Sequence, residues 1–177
     1  ATVGKQLSDA EIKLREDVFT ILKVFKEKLP HFQHAYLIDT AVQVGIRETR
    51  AIDGLYTMNI EDILGPAFFE DSVALGGHPI DIHSTNTPGQ NVSFIAEPYQ
   101  IPYRSLIPKG SCNLLVAGGT ISATRTAFAS IRVQAQCMAL GQAAGMAVSL
   151  CREQKIRVSE LDGNYLRHKL NMAGAIT

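Results

Sequence analysis

Several things are scarce or missing in this sequence, and each absence narrows the field. It has no Trp, and its 3 cysteines, Cys112, Cys137 and Cys151, form no C-x-x-C pair. Neither a zinc ribbon nor a disulfide framework follows from such spacing, and reduced thiols are the simple reading. Lys+Arg 17 against Asp+Glu 17 leaves no net charge, so the basic footprint of a nucleic-acid binder is missing. No apolar run approaches the roughly 18 residues of a membrane span, and the opening "ATVGKQLSDAE" lacks a signal-peptide core. These features predict a cytoplasmic protein. G-x-S-x-G does not occur, and Cys137 falls inside a helical stretch, which argues against a triad hydrolase. G-x-G-x-x-G does not occur either, so the usual phosphate loop of a dinucleotide-binding unit is not here.

What is present is globular: 46% hydrophobic and 19% charged residues over 177 positions, enough to bury a core. The N-terminal stretch predicts an amphipathic helix. "SDAE" reads as a capping box at Ser8 and Glu11, apolar residues from Ile12 to Leu29 recur at helical spacing, and Pro30 stops the run. "HAYLIDTAVQVGIRE" reads as extended with a bend at Gly45, and "TRAIDGLYTMN" as a strand or hairpin around Asp53-Gly54. "NIEDILG" reads as a short helix capped by Asn59 and ended by Gly65. Loops and short strands rich in Gly and Pro follow, as loops over a ligand often do. "NLLVAGG" predicts a central strand, and "RVQAQCMALGQAAGMAVSLCREQ" a helix hydrophobic nearly all round and therefore buried, with Gly141 and Gly145 admitting a close neighbour. A last amphipathic helix is capped by Ser159 or Asp162, with Tyr165, Leu166 and Leu170 inward. The expected organisation is one compact α+β unit.

Three groups of residues carry possible chemistry. Between Gly118-Gly119 and the long helix lie small polar residues and Arg125 and Arg132. A helix start must find partners for its free N–H groups, and Ser130, Gln134 and Gln136 stand near this one instead of Asp or Glu. Either an external acceptor, such as an anion or ring carbonyl, or water completes it. In "GGHPIDIHS" the alternation puts Asp81 and His83 on one face. His83 suits proton transfer near neutral pH, although a hydrogen-bonded structural histidine is equally consistent, and His78, Asp81 and His83 do not assure a metal site. Arg104, set among apolar residues in "IPYRSL", needs an anionic partner, either a substrate carboxylate or Glu97.

Three blocks, "VGIRETRAIDGLYTMNIEDIL", "GGHPIDIHS…YQIPYRSLIPKGSCNLLVAGGTISAT" and "SIRVQAQCMALGQAAGMAV", occur in this order. Together they resemble the C-terminal part of FAD-dependent oxidoreductases related to fumarate reductase and succinate dehydrogenase flavoproteins. The resemblance implies a glutathione-reductase-like FAD-binding domain whose N-terminal G-x-G-x-x-G half lies elsewhere. This chain would then be a fragment or separate subunit, as the lack of an initiating Met also suggests, with that half as its partner. Residues 1–34 would be an amphipathic helix region, 35–109 a substrate or cap-domain segment, and 110–177 the C-terminal part of the FAD-binding domain. The resemblance further implies FAD near Gly118, Gly119, Thr120, Arg125, Ser130, Ile131, Arg132 and Val133. The N–H groups of Gln136, Cys137 and Met138 would face the flavin pyrimidine edge. His83, Arg104 and Arg132 would serve a small-molecule substrate. The sequence departs from the family pattern at Gly119, where Arg is usual, at Thr120, where Cys is usual, and at Ala135-Gln136, where Pro-Thr is common. It also has Arg125-Thr126 in place of a His-Glu pair. The alternative is a non-catalytic assembly module on the same fold, self-associating through its exposed surface.

Overall fold

A computed structural model describes residues 3–65, 67–83 and 90–177, and divides the chain into two compact units, Ala1–Arg50 and Ala51–Thr177. The first unit is built on α1 (Gly4–Lys28), which ends at Leu29 before a 3-10 turn at Pro30–Phe32. Pro30 stops the helix as its sequence predicts, but the start differs: Val3 is the N-cap and supplies no side-chain bond. Ser8 therefore sits inside α1. The extra turn is supported by the Lys5–Asp9 pair at 2.8 Å, an i,i+4 contact of the kind that favours helix. Glu11, freed from capping, accepts from the Val44 N–H and from Arg15, whose guanidinium also reaches the Ala41 and Val42 carbonyls. Those contacts shape residues 41–44, which read as extended in sequence and bend at Val42–Gln43 outside any sheet. No residue of α1 is buried.

The second unit holds the core. Asn59 opens α2 (Ile60–Leu64) with a full capping box to Asp62, and Gly65 closes it, as the sequence predicts. Asp62 also accepts from the Tyr56 hydroxyl at 2.8 Å, so one buried carboxylate fixes both the helix start and the segment before it.

Two antiparallel pairs follow. β1 (Ser72–Gly76) pairs with β4 (Tyr99–Pro102), and β2 (Ile80–His83) with β3 (Gln90–Ser93). The β1–β4 pair packs against α4 (Gln134–Gln154) and α5 (Gly163–Met172), and β2 against α3 (Arg125–Ile131). Mixed helix and small sheets make this an α+β fold. Tyr99, Ile101 and Tyr103 alternate into the core with Val73, Leu140, Leu166 and Leu170. Asp162 caps α5 by accepting from the Asn164 N–H at 2.9 Å. Leu166 and Leu170 are buried while Tyr165 stays exposed.

Two expectations change here. "NLLVAGG" forms no strand among the described residues, because a strand needs a neighbour to ladder with; its Val116 N–H instead donates to Leu106 O at 2.9 Å. α4 is buried along one stripe only, Gln136, Leu140, Ala143, Ala147, Leu150 and Cys151, with Met138 75% and Val148 54% exposed. Composition could not reveal this side, since Ala and Gly are apolar on every face. A Cβ placed at Gly141 or Gly145 would meet nothing within 4 Å, so neither marks a close packing contact.

Candidate functional site

The residues between Gly118 and the start of α4 are pinned from several directions. Gly118 adopts φ +79, a left-handed conformation that suits a residue without Cβ. The Ile52 N–H donates to Thr120 O at 3.0 Å, and the Ser122 N–H to Ser105 O at 3.0 Å. Ser122 is fully buried, its Oγ accepting from the Gly54 N–H at 2.9 Å and pairing with Thr57 Oγ1 at 2.8 Å. A Cβ at Gly54 would stand 2.6 Å from the Ser122 Cβ, so glycine is required for the approach. What reads as a wandering polar loop is thus a fixed crossing of residues 52–58 with 120–124.

α3 begins at Arg125 under the Thr124 cap, whose Oγ1 accepts from the Ala127 N–H. It ends at Arg132, and after Val133 the chain starts α4. Arg132 is half-buried and its Nη2 donates to Asp81 O at 3.2 Å, tying this break to β2.

The start of α4 has no side-chain cap and no acidic residue in its first turn. The first helical bond within it is from the Cys137 N–H to Val133 O at 3.0 Å. The N–H groups of Gln134, Ala135 and Gln136 precede that bond and have no intrahelical acceptor. Of the three donors named from sequence, Gln136 stays free, while those of Cys137 and Met138 fall within the helical ladder. Cys137 sits beside Gly118, where an added Cβ would lie 3.8 Å from its side chain. Burial pushes its thiol up from the usual range, so it stays protonated at neutral pH.

A buried polar chain lies beneath this turn. The Tyr99 hydroxyl is 2.7 Å from Ser130 Oγ, and Ser130 Oγ donates to His78 O. Tyr99 and Ser130 are both fully buried, and burial raises the Tyr99 hydroxyl to about 12, the Ser130 and Gln136 contacts opposing that rise. Gln136 is 5% exposed, and its Oε1 has no hydrogen-bond partner.

The sequence candidates therefore divide. Gly118, Ser130, Arg132, Val133, Gln136 and Cys137 gather around the α3–α4 break. Ile131 is instead a fully buried core residue, and Gly119, Arg125 and Met138 are exposed. Arg104 finds its anion in Asp71, not Glu97, through contacts of 2.9 and 3.2 Å, and its guanidinium lies 5.3 Å from the Tyr56 ring centroid. β2 ends at His83, whose side chain lies outside the described residues. Tyr99 was missed, although the inward alternation Tyr99, Ile101, Tyr103 is a signal for it. No group of three or more His, Cys, Asp or Glu able to hold a metal occurs among the described residues. No helix among them is long and apolar enough to cross a membrane.

No curated protein and no solved structure matches the chain. The family model for FAD dependent oxidoreductase matches residues 1–170, so the chain belongs to that family, whose cofactor is FAD.

Proposed function

We propose that this chain supplies the isoalloxazine-facing side of the FAD site in an oxidoreductase related to fumarate reductase and succinate dehydrogenase flavoproteins. The observation that carries this reading is the bare start of α4. Gln134, Ala135 and Gln136 keep unbonded N–H groups there, with no acidic side chain in the turn. A helix N-terminus of this kind favours electron-rich acceptors. The residues fit the cofactor on two further counts. Gly118 at φ +79 brings bare backbone alongside that turn, and the buried Gln136 Oε1 has a hydrogen bond left to make.

Bound there, FAD supplies two-electron transfer and carries extra charge on its ring when reduced. The α4 dipole and its free N–H groups stabilise that charge without reorganising, because Tyr99 and Ser130 brace the turn from below. Gly118, Gly119 and Thr120 line the approach toward the ribityl and phosphate region, with Arg125 near its anionic groups. Ser130, Arg132 and Val133 sit on the flavin side, Ser130 as a support and not a contact. Arg132 serves the substrate as the cation, and His83 is the candidate proton donor or acceptor. Arg104 acts together with Asp71, which holds the turn at Tyr103–Leu106 in place.

Residues 110–177 form the C-terminal part of a glutathione-reductase-like FAD domain in this reading, and 35–109 contribute the substrate side. The ADP-binding G-x-G-x-x-G segment comes from residues outside this sequence, and the unpaired run at 113–117 is where its sheet would continue. The test is the flavin potential of the holoprotein. Gln134→Asp puts a negative charge in the first turn of α4 and should lower the midpoint potential by about 10–20 mV. A potential that does not move, or a holoprotein without the oxidised-flavin band near about 450 nm, removes the reading.

A further inference from the structure

β1 ends at Gly76 and β2 begins shortly after at Ile80, yet the two strands share no sheet. β2 ladders with β3 alone, so its placement on the rest of the unit falls to side chains. Ile80 is buried in the core and Ile82 packs against it. Those apolar contacts hold β2 down, but they carry no direction. Two hydrogen bonds from the end of α3 supply it. Ser130 Oγ donates to His78 O just ahead of β2, and Arg132 Nη2 donates to Asp81 O within it at 3.2 Å. Both acceptors are backbone carbonyls, so the strand is gripped whatever side chains it carries.

The grip is itself braced. The His78 carbonyl can only accept, so the Ser130 proton goes to it and the Tyr99 proton goes to Ser130 Oγ, 2.7 Å away. Tyr99 belongs to β4, so a hydrogen-bonded path runs from one sheet through α3 to the other. Arg132 is the C-cap of α3 and immediately precedes Val133, the N-cap of α4. β2 is thereby tied to the break from which α4 starts. We infer that Ser130 and Arg132 are positioning residues that hold β2, with His83 at its end, in register with the flavin-facing start of α4. The inference rests on the proposed flavin-facing role of α4 and adds to it the means by which the substrate side is set against the cofactor side. Arg132 then has two duties, one toward the substrate and one toward the β2 backbone.

An isolated two-stranded hairpin is marginal in water, so a β2–β3 ladder released from α3 opens and its amides exchange with solvent. The test is native-state hydrogen exchange of the holoprotein, read residue by residue, with the visible circular dichroism of the bound FAD recorded in parallel. Ser130→Ala and Arg132→Met should each speed exchange of the β2–β3 ladder amides by about fivefold, the scale of one hydrogen bond, while α4 and the β1–β4 ladder keep their rates. Arg132→Lys keeps a donor of similar reach and should return the rates to within about twofold of the unmodified protein. If Ser130→Ala does not fold, the two Arg132 variants decide. No acceleration, acceleration spread evenly over the whole unit, or a Lys variant as fast as the Met one overturns the inference. The variants that loosen β2 should also change the dichroism of the bound flavin; a loosened β2 beside an unchanged flavin signal overturns the positioning role. A protein that takes up no FAD overturns the flavin-facing reading itself, and the inference with it.

Discussion

Gly76 stands directly across the β1–β4 ladder from Tyr99, and a Cβ at Gly76 would lie 2.2 Å from the Tyr99 Cζ. The tyrosine lies over the bare backbone of its partner strand, and this lets its hydroxyl reach Ser130. Gly76→Ala is expected to destabilise the protein by about 1–3 kcal/mol, the range for overpacking a filled core. Urea denaturation checks it. A Gly76→Ala/Tyr99→Ala pair should cost clearly less than the sum of the two single changes, since removing the ring removes the clash; simple additivity would refute the packing argument.

Tyr99→Phe keeps the ring but deletes the donor to Ser130 Oγ. The expected loss is about 1–2 kcal/mol, one buried hydrogen bond with its partner left short. Thermal unfolding reads this directly. A change below a few tenths would mean that the hydroxyl pair contributes nothing.

Stability should also fall in strong alkali. Burial, aided by the bond to Asp62, raises Tyr56 to about 12, and burial raises Tyr99 to about the same value. A raised folded value means that the native state holds its protons more tightly than the unfolded chain. The contribution is complete below about pH 10, the ordinary tyrosine value, and is lost as pH climbs from there through about 12. Phenolate absorbance followed alongside unfolding should show Tyr56 and Tyr99 ionising only as the structure opens. Ionisation near pH 10 in the folded state would contradict this.

Asp71→Asn should be mild, where losing the partner of a fully buried cation would predict severe damage. Arg104 is 49% exposed and stacked on Tyr56, so losing the carboxylate costs about 1 kcal/mol or less and the effect shrinks in high salt. Urea titrations at two salt concentrations decide it.

Asn59→Ala removes one half of the α2 capping box. A loss of about 0.5–2 kcal/mol is expected, and because Asp62 also holds Tyr56, the loosened helix should make the Tyr56 phenol titrate earlier. A stable variant with an unchanged Tyr56 titration would uncouple the two.

Local chemistry was legible in the order of residues. The Asn59 cap, the stop at Pro30 and the inward Leu166 and Leu170 of α5 all depend on neighbours a few positions away, so spacing alone carries them; it left the α5 cap open between Ser159 and Asp162 and wrongly turned Tyr165 inward. The start of α1 was misread because Ser8 caps only if the N–H groups ahead of it are free, and an earlier turn had already formed. The site was half legible. Its placement at the α3–α4 break follows from glycines, an uncapped helix start and the resemblance, whereas the Tyr99–Ser130–His78 chain joins residues that are 52 and 31 positions apart.

The sequence by itself determined the α+β character, the helices α1, α2, α4 and α5, the glycine-bearing approach to α4 and the family with its FAD, while α3 was read as loop. These rest on periodicity, capping and motif order, which are properties of short stretches. Only the tertiary structure decided that Arg104 answers to Asp71, that α4 buries one stripe, that "NLLVAGG" lies unpaired and that Gln136 keeps an acceptor unused. Each of these depends on which distant group comes within about 3 Å, the reach of a hydrogen bond, and no local pattern encodes that distance.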